Sequence, residues 1–271
     1  MSFSTVLVAA LLQLLALAAI MTGAWAIQQR TGNSGFIDAV WTFGTGVVGI
    51  ASALIPLPGS ALTGRQILVA LLMLFWSARL GSHIVQRSLA RSDDPRYAAL
   101  IRQWGTGARR EMFLLAQKQA LVTVPLALAA FVAAHNPAPL FRIQDCVAIA
   151  VVLLGIVGEA LADRQLRAFI AAPLKESRVC DRGLWAWSRH PNYFFEWVFW
   201  LAFPLLAIDP GSAYQFGWLA LLAPACMYWL LVHVSGIPPL EEHMVKSYGE
   251  AYRDYQARTS AFFPLPPQVS R

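Results

Sequence analysis

Seven long apolar runs constrain the fold of this 271-residue sequence more than any other feature. A helix of about 20 apolar residues is long enough to cross a hydrocarbon layer roughly 30 Å thick. Charged residues make up only 13% of the chain and hydrophobic residues 57%. We therefore predict an all-α integral membrane protein, a single bundle of seven transmembrane helices. The predicted spans are residues 5–27, 36–56, 65–85, 113–134, 144–163, 192–209 and 214–235.

Charge in the loops predicts how the bundle is oriented. Residues 85–112 contain six arginines, and residues 164–189 contain six lysines and arginines. The alternate loops carry one cation, Arg142. Because basic loops stay on the cytoplasmic side, we expect the N-terminus outside and the C-terminus in the cytoplasm. The first run lacks the features of a signal peptide, so it is interpreted as a retained helix.

The tail, residues 237–271, is predicted to form an amphipathic surface helix rather than a span. Its apolar and aromatic residues recur every three or four positions, with charged residues between them, as in a helix lying on a membrane. No internal repeat or linker is evident, so residues 1–271 are expected to form one domain and a monomer. Three cysteines without metal-ligand spacing predict neither a disulfide nor a metal site.

The stretch from Ser188 to Trp197 brings polar side chains to the start of an apolar helix. Pro191 is interpreted as the first helical residue, where its missing N–H is not needed. Asn192 and Glu196 then lie four apart on one helical face. Because such groups are costly at a membrane unless they bind something, we predict that this face binds a nucleotide cofactor.

Two further helical faces carry charge near the same predicted cytoplasmic boundary. Arg79, His83 and Arg87 share one face of the third span, where they either reach lipid phosphates or bind a ligand. Glu159 and Asp163 lie four apart in the fifth span. These acids either pair with a cation such as Arg79 or accept hydrogen bonds from a ribose or an adenine amino group.

Other residues allow two interpretations. Asp38 either caps the second span or acts in catalysis. Trp76 is typical of an ordinary packing aromatic, and residues 93–97 are typical of a turn that begins a helix. His135 is interpreted as a satisfied histidine without chemistry. Neither GxGxxG nor GxxxxGK[ST] is present, so no Rossmann or P-loop cradle is predicted, and no nucleic-acid partner is expected.

The segment Ser188-Arg189-His190-Pro191-Asn192-Tyr193, followed by Glu196-Trp197, resembles the signature of the steroid 5-alpha-reductase C-terminal domain family, in its bacterial branch of unknown function (DUF1295). The resemblance extends over roughly residues 30–267. The other motifs that carry it are Trp76-x2-Arg79-Leu80 with Arg87, Asp94-Pro95-Arg96-Tyr97, Glu159-x3-Asp163-x-Gln165, Gly183-Leu184-Trp185, and Gly236-Ile237-Pro238-x2-Glu241-Glu242-x5-Tyr248-Gly249-x2-Tyr252.

This resemblance implies an NADPH-dependent membrane oxidoreductase acting on CH–CH groups, like a 3-oxo-5-alpha-steroid 4-dehydrogenase. Hydride would pass to a carbon–carbon double bond conjugated to a ketone, in a lipid-soluble substrate that enters from the bilayer. The implied catalytic residues are Asp38, Trp76 and Glu196. The implied cofactor-binding residues are Arg79, His83, Arg87, Arg96, Tyr97, Glu159, Asp163, Gln165, Arg178, Leu184, Trp185, Ser188, Arg189, His190, Asn192, Tyr193, Glu196, Glu241 and Tyr252.

The sequence departs from the steroid reductases at the position that would contact the substrate ketone. Trp76 stands where those enzymes have a tyrosine, and an indole N–H donates a hydrogen bond without acting as a proton-donating acid. The chain also resembles isoprenylcysteine and phospholipid methyltransferases, which bind S-adenosylmethionine. A methyltransferase and a non-catalytic nucleotide-binding membrane protein therefore remain alternative predictions.

Overall fold

The computed structural model describes residues 1–57, 59, 61–90, 93–172, 179–211 and 214–267, and these ranges are helical, with no strand. The ten α-helices in these ranges are α1 Phe3–Thr31, α2 Gly35–Leu54, α3 Gly64–Leu89, α4 Pro95–Trp104, α5 Ala108–Ala134, α6 Ile143–Ala171, α7 Pro191–Ala207, α8 Leu222–Trp229, α9 Ile237–Tyr248 and α10 Glu250–Arg258.

Local capping explains where several helices begin. Thr63 and Gln66 form a reciprocal capping box at the start of α3. Asp94 caps α4, and Pro95 occupies one of its first positions, which confirms the predicted turn and helix start. Pro191 is the first residue of α7, as the sequence predicted.

Among the described residues, six helical segments are long and apolar enough to cross a membrane, as expected of a multi-pass membrane protein. The predicted span 192–209 corresponds to α7, which has only 17 residues and is not among the six. The predicted span 214–235 is not one continuous α-helix. It begins with a 3₁₀ segment, Gln215–Leu221, continues as α8 and ends in a π-helical turn, Leu230–Val234.

The chain divides into two compact units. The first unit contains Met1–Asp145 and Phe203–Ala223, and the second contains Cys146–Ala202 and Pro224–Arg271. In the first unit α5 is central, since it packs against α1, α2, α3 and α4. Its second half is alanine-rich and buried without interruption from Leu126 to Ala134, which allows neighbouring helices to approach closely.

A buried ion pair joins Arg65 at the start of α3 to Asp145 at the start of α6. The two side chains are only 2% and 0% exposed, and the guanidinium meets both carboxylate oxygens at 2.8 and 2.9 Å. Arg65 also donates to the carbonyl oxygens of Pro139 and Leu206, at 2.8 and 3.3 Å. Asn136 donates to Leu206 as well. These side chains satisfy a carbonyl in the last turn of α7, a helix end that needs such partners.

In the second unit, two glycines let α6 approach α7 closely. A Cβ on Gly155 would lie 2.9 Å from the backbone nitrogen of Phe199, and one on Gly158 would overlap the ring of Phe195. A larger residue at Gly155 would therefore force the two backbones apart. The contact lies one turn before Glu159 on α6 and beside Glu196 on α7.

The predicted surface helix of the tail consists of two helices rather than one. It breaks at Gly249, whose φ of 58° lies in the left-handed region that favours glycine. Tyr252 and Tyr255 on α10 are buried and pack with Val179. The aromatic positions that suggested one continuous helix therefore belong partly to a second, shorter helix packed within the unit.

We expect Asp145→Asn to destabilise the protein strongly, because it leaves the buried Arg65 guanidinium without its counter-charge. Removing one partner of a buried ion pair costs about 3–5 kcal/mol. Thermal unfolding in detergent would measure the loss. Glu250→Gln is the matched control, since Glu250 pairs with Arg253 at the surface with 78% of its side chain exposed. Equal unfolding temperatures for the two variants would show that the buried Arg65–Asp145 ion pair stabilises the protein no more than a surface pair does.

Candidate functional site

Four polar side chains lie on α6 and α7, two helices that pack closely in the second unit. Glu159 and Asp163 are buried one turn apart on α6, with 6% and 4% exposure. Asn192 and Glu196 lie one turn apart on α7, and the Asn192 amide donates to Asp163 at 3.3 Å. We call these four residues the acid–amide cluster. Because α7 contains both Asn192 and Glu196, the prediction that they lie four apart in one helix is confirmed.

Glu196 is held by its own helix. Only 5% of this residue is exposed, and the Trp200 indole N–H donates to its Oε1 at 2.9 Å. Trp200 is fully buried and lies one turn further along α7. This hydrogen bond fixes the carboxylate of Glu196 relative to α7. The cluster can thus accept hydrogen bonds from hydroxyl or amino groups and, through Asn192, also donate.

Three residues predicted to bind the cofactor hold the loop before α7 against α6. The side chain of Gln165 accepts a hydrogen bond from the Leu184 N–H at 2.9 Å. The Trp185 indole donates to the carbonyl oxygen of Ala162 at 3.0 Å. Gly183, with φ of 61°, lies so close to Gln165 that a Cβ would be 2.7 Å from its side-chain oxygen. These hydrogen bonds and the close approach at Gly183 hold the loop against α6.

The residues just before α7 contact the tail. Arg189 donates to Glu241 on α9 at 2.7 Å, and His190 lies 2.9 Å from the same carboxylate. Ser188 is fully buried and donates to the carbonyl oxygen of Phe262 at 2.8 Å. Tyr193 stacks on the His190 ring at 5.4 Å. These predicted cofactor residues therefore share a second network with Glu241, next to the acid–amide cluster in sequence.

Burial lowers the pKa of His190 below its ordinary value of 6.5, although the hydrogen bond to Glu241 partly offsets this effect. The neutral imidazole is then the favoured form near neutral pH. Because an ionised carboxylate only accepts hydrogen bonds, the Nε2 atom that faces Glu241 carries the proton and donates. The geometry of this contact thus assigns the tautomer.

In the first unit, Asp38 belongs to a network between α2 and α4. Its two oxygens accept from Arg96 and from the Tyr97 hydroxyl, each at 2.7 Å. Arg96 also contacts Asp94. Burial by itself raises the pKa of Asp94, but the hydrogen bond and the charge of Arg96 outweigh burial, so this pKa lies below its usual value. These hydrogen bonds of Asp38 go to side chains and not to the backbone of α2, so the capping interpretation is wrong. Arg87 lies 3.9 Å from Asp38.

The remaining predicted residues of the first unit lie along α3. Trp76 is 1% exposed and packs edge-on against Trp41 at 6.3 Å. Arg79 and His83 follow at intervals of three and four and are half-buried. Their spacing confirms that they share the side of α3 that also carries Arg87. Arg178, the remaining predicted cofactor residue, lies outside the described residues.

Sequence reasoning missed the partners of several of these groups. Gln119 on α5 donates to the Tyr97 hydroxyl at 3.0 Å, and Gln256 on α10 donates to Glu241 at 2.7 Å. Neither residue belongs to a motif, and a polar residue at one helical position carries no signal of its distant partner. The ring nitrogens of His135 lie 2.8 and 2.9 Å from the carbonyl oxygens of Phe131 and Ile55. Within the described ranges, no acidic, histidine and cysteine side chains form a metal-binding group.

A family model matches most of the chain. A family model described as "Protein of unknown function (DUF1295)" matches residues 24–259. No curated protein and no solved structure matches the chain.

We expect stability to fall as the pH is lowered through about 6.5, because the unfolded chain protonates His190 before the folded protein does. The midpoint of thermal unfolding between about pH 7.5 and about pH 5.5 would measure this dependence. In His190→Gln the midpoint should change less over the same interval. His243→Gln, which alters an exposed histidine, should keep the full pH dependence. An identical pH dependence in His190→Gln and wild type would show that His190 does not cause the loss of stability at low pH.

Proposed function

We propose that this chain, which belongs to the DUF1295 family of proteins of unknown function, is a membrane-embedded NADPH-dependent reductase. Its substrate would be a lipid-soluble, steroid-like molecule with a carbon–carbon double bond conjugated to a ketone. The observation that carries the proposal is the acid–amide cluster on α6 and α7. Acidic and amide side chains within apolar helices are rare and commonly mark a functional site.

The chemistry of the cluster fits the hydroxyl-bearing and amide-bearing parts of NADPH. The carboxylates of Glu159 and Asp163 can accept hydrogen bonds from ribose hydroxyls or from the adenine amino group. Asn192 and Glu196 together offer a donor and an acceptor, the pair that a nicotinamide carboxamide requires. When bound, the cofactor would supply a hydride. The residues named here would bind and orient it.

Within the first unit, the cations of α3 are a separate candidate set for a phosphate-bearing ligand. Arg79, His83 and Arg87 are spaced so that they share one helical side, where guanidinium groups can bind phosphate oxygens in a bidentate manner. Arg96, also predicted to bind the cofactor, donates to Asp38 and Asp94. Arg87 contacts the same two carboxylates more loosely, at 3.9 and 3.7 Å.

For the substrate, we propose that Trp76 polarises the ketone. An indole N–H stabilises negative charge on a carbonyl oxygen by donating a hydrogen bond in a water-poor site. Asp38 accepts hydrogen bonds from Arg96 and Tyr97, so it would keep this end of α2 ordered rather than deliver a proton. The proton that completes the reduction would then come from another donor, such as water.

The proposal includes seven spans, with the N-terminus outside and the C-terminus in the cytoplasm of a bacterial inner membrane. Basic loops at 85–112 and 164–189 support this orientation. The 17 residues of α7 meet the lower limit for a transmembrane helix, about 17 residues. NADPH would then reach the site from the cytoplasm, and the substrate of a monomeric enzyme would enter from lipid.

The cofactor is tested by titrating detergent-purified protein with NADPH, NADH and S-adenosylmethionine while following thermal unfolding. A ligand at a hundred times its Kd stabilises the protein by about 2.7 kcal/mol. We expect this stabilisation with NADPH. A shift with S-adenosylmethionine alone would instead support a methyltransferase of lipids or isoprenylcysteines, because its ribose could meet the same acids. A shift with none would remove both enzymes.

We expect Glu196→Gln to weaken NADPH binding roughly ten- to a hundredfold, because a hydrogen bond to a charged group contributes about 1.5–3 kcal/mol. Fluorescence or calorimetric titration would give the Kd. Glu250→Gln makes the same chemical change at an exposed position and should bind like wild type. Equal affinities of all three proteins would show that Glu196 does not contact the cofactor.

The reaction itself is tested by following NADPH absorbance after addition of lipid-soluble enones. The corresponding saturated ketones are the matched control, because they lack only the double bond. We expect NADPH consumption with an enone and none with its saturated counterpart. Binding of NADPH without consumption across a broad panel of enones would favour the non-catalytic alternative.

A further inference from the structure

The end of the chain runs alongside the loop that precedes α7. We call residues Thr259–Leu265 the strap. The Arg189 N–H donates to the carbonyl oxygen of Ser260 at 2.8 Å, and the Leu265 N–H donates to that of Trp187 at 2.9 Å. The Ser188 hydroxyl donates to Phe262 at 2.8 Å. Hydrogen bonds thus run in both directions between the strap and the loop.

Glu241 is the centre of the side-chain network beside the strap. Its Oε1 accepts from Arg189 Nε at 2.7 Å and from His190 Nε2 at 2.9 Å. Its Oε2 accepts from Arg189 Nη2 at 3.1 Å and from Gln256 Nε2 at 2.7 Å. A carboxylate has about four acceptor positions, so this one is filled by its own chain.

The Arg189 guanidinium is engaged on every nitrogen. Besides its two bonds to Glu241, its Nη1 donates to the carbonyl oxygens of Gln256 and Thr259, at the end of α10 and the start of the strap. Only 10% of its side chain is exposed. Five N–H donors fit a phosphate well when they are free, but here four contacts hold the tail.

This network continues into the first turn of α7. Pro191 follows His190 directly, and the Phe194 N–H donates to the His190 carbonyl oxygen at 3.1 Å. Phe262 of the strap packs against Phe194 and Trp197 of the same helix, at 5.8 and 5.9 Å. A displaced strap would therefore release the turn that carries Asn192 and leads to Glu196.

We propose that the strap and Glu241 position the start of α7, and that Arg189 and His190 are positioning residues that act through Glu241. They then influence the cofactor by orienting Asn192 and Glu196, without contacting its phosphates. The inference rests on the proposed function for its effect on NADPH. The coupling between strap and helix can be measured without any ligand.

A double-mutant cycle on full-length protein separates positioning from phosphate contact. If Arg189 bound a phosphate, Glu241→Gln would free the guanidinium and leave NADPH binding unchanged or stronger. We expect instead that Arg189→Gln and Glu241→Gln each weaken binding about tenfold and that the double variant is no weaker than either, because the two residues act as one unit. Glu242→Gln, at the exposed neighbouring position paired with Lys246, is the control.

NADPH and NADH differ only in a phosphate, and their comparison gives a second test. Positioning predicts that Arg189→Gln weakens both nucleotides by the same factor. A loss confined to NADPH, or additive losses in the cycle, would overturn the proposal.

Hydrogen exchange provides the readout that does not need a nucleotide. In Glu241→Gln we expect faster exchange in peptides covering 258–267 and 187–197, while α6 keeps its protection. Faster exchange in the strap alone would refute the positioning of α7. Wild-type protein that binds neither nucleotide would refute the proposed reductase, and the exchange data would still decide whether the strap positions the helix.

Discussion

The Arg65–Asp145 ion pair illustrates the constraint on which the rest of the structure depends. A charge placed among apolar helices is expensive unless another group within the protein compensates it. Here the guanidinium binds both oxygens of the carboxylate and backbone carbonyls besides. The pair thereby joins the starts of α3 and α6 to the end of α7. The same requirement explains the other polar networks of this chain.

In the first unit, the Asp38 network balances two carboxylates with two arginines. Asp38 and Asp94 face Arg96 and Arg87, and the Tyr97 hydroxyl completes the set. Such an arrangement is typical of a structural junction between helices. It moves the search for the catalytic groups of the proposed reductase away from Asp38, towards Trp76 and α3.

The second unit separates two kinds of polar residues that a motif joins in sequence. Ser188, Arg189 and His190 contact the tail, whereas Asn192 and Glu196 belong to the acid–amide cluster with α6. The proline between them marks the boundary, because it begins α7. One short motif can thus combine the residues that hold a helix with the residues that the helix presents.

Sequence alone predicted most of the helices and the residues that share a face on them. Apolar length predicted seven spans, of which the described residues provide six helices long and apolar enough to cross a membrane. Spacing of four identified the pairs Glu159–Asp163 and Asn192–Glu196, because helical geometry is local. Only the tertiary structure decided the partners. Arg65 and Asp145 are 80 positions apart, and Arg189 meets a glutamate 52 positions away. Neither pairing leaves a periodic signal, because each depends on how distant helices pack, and that packing also determined that Gly249 divides the tail into two helices.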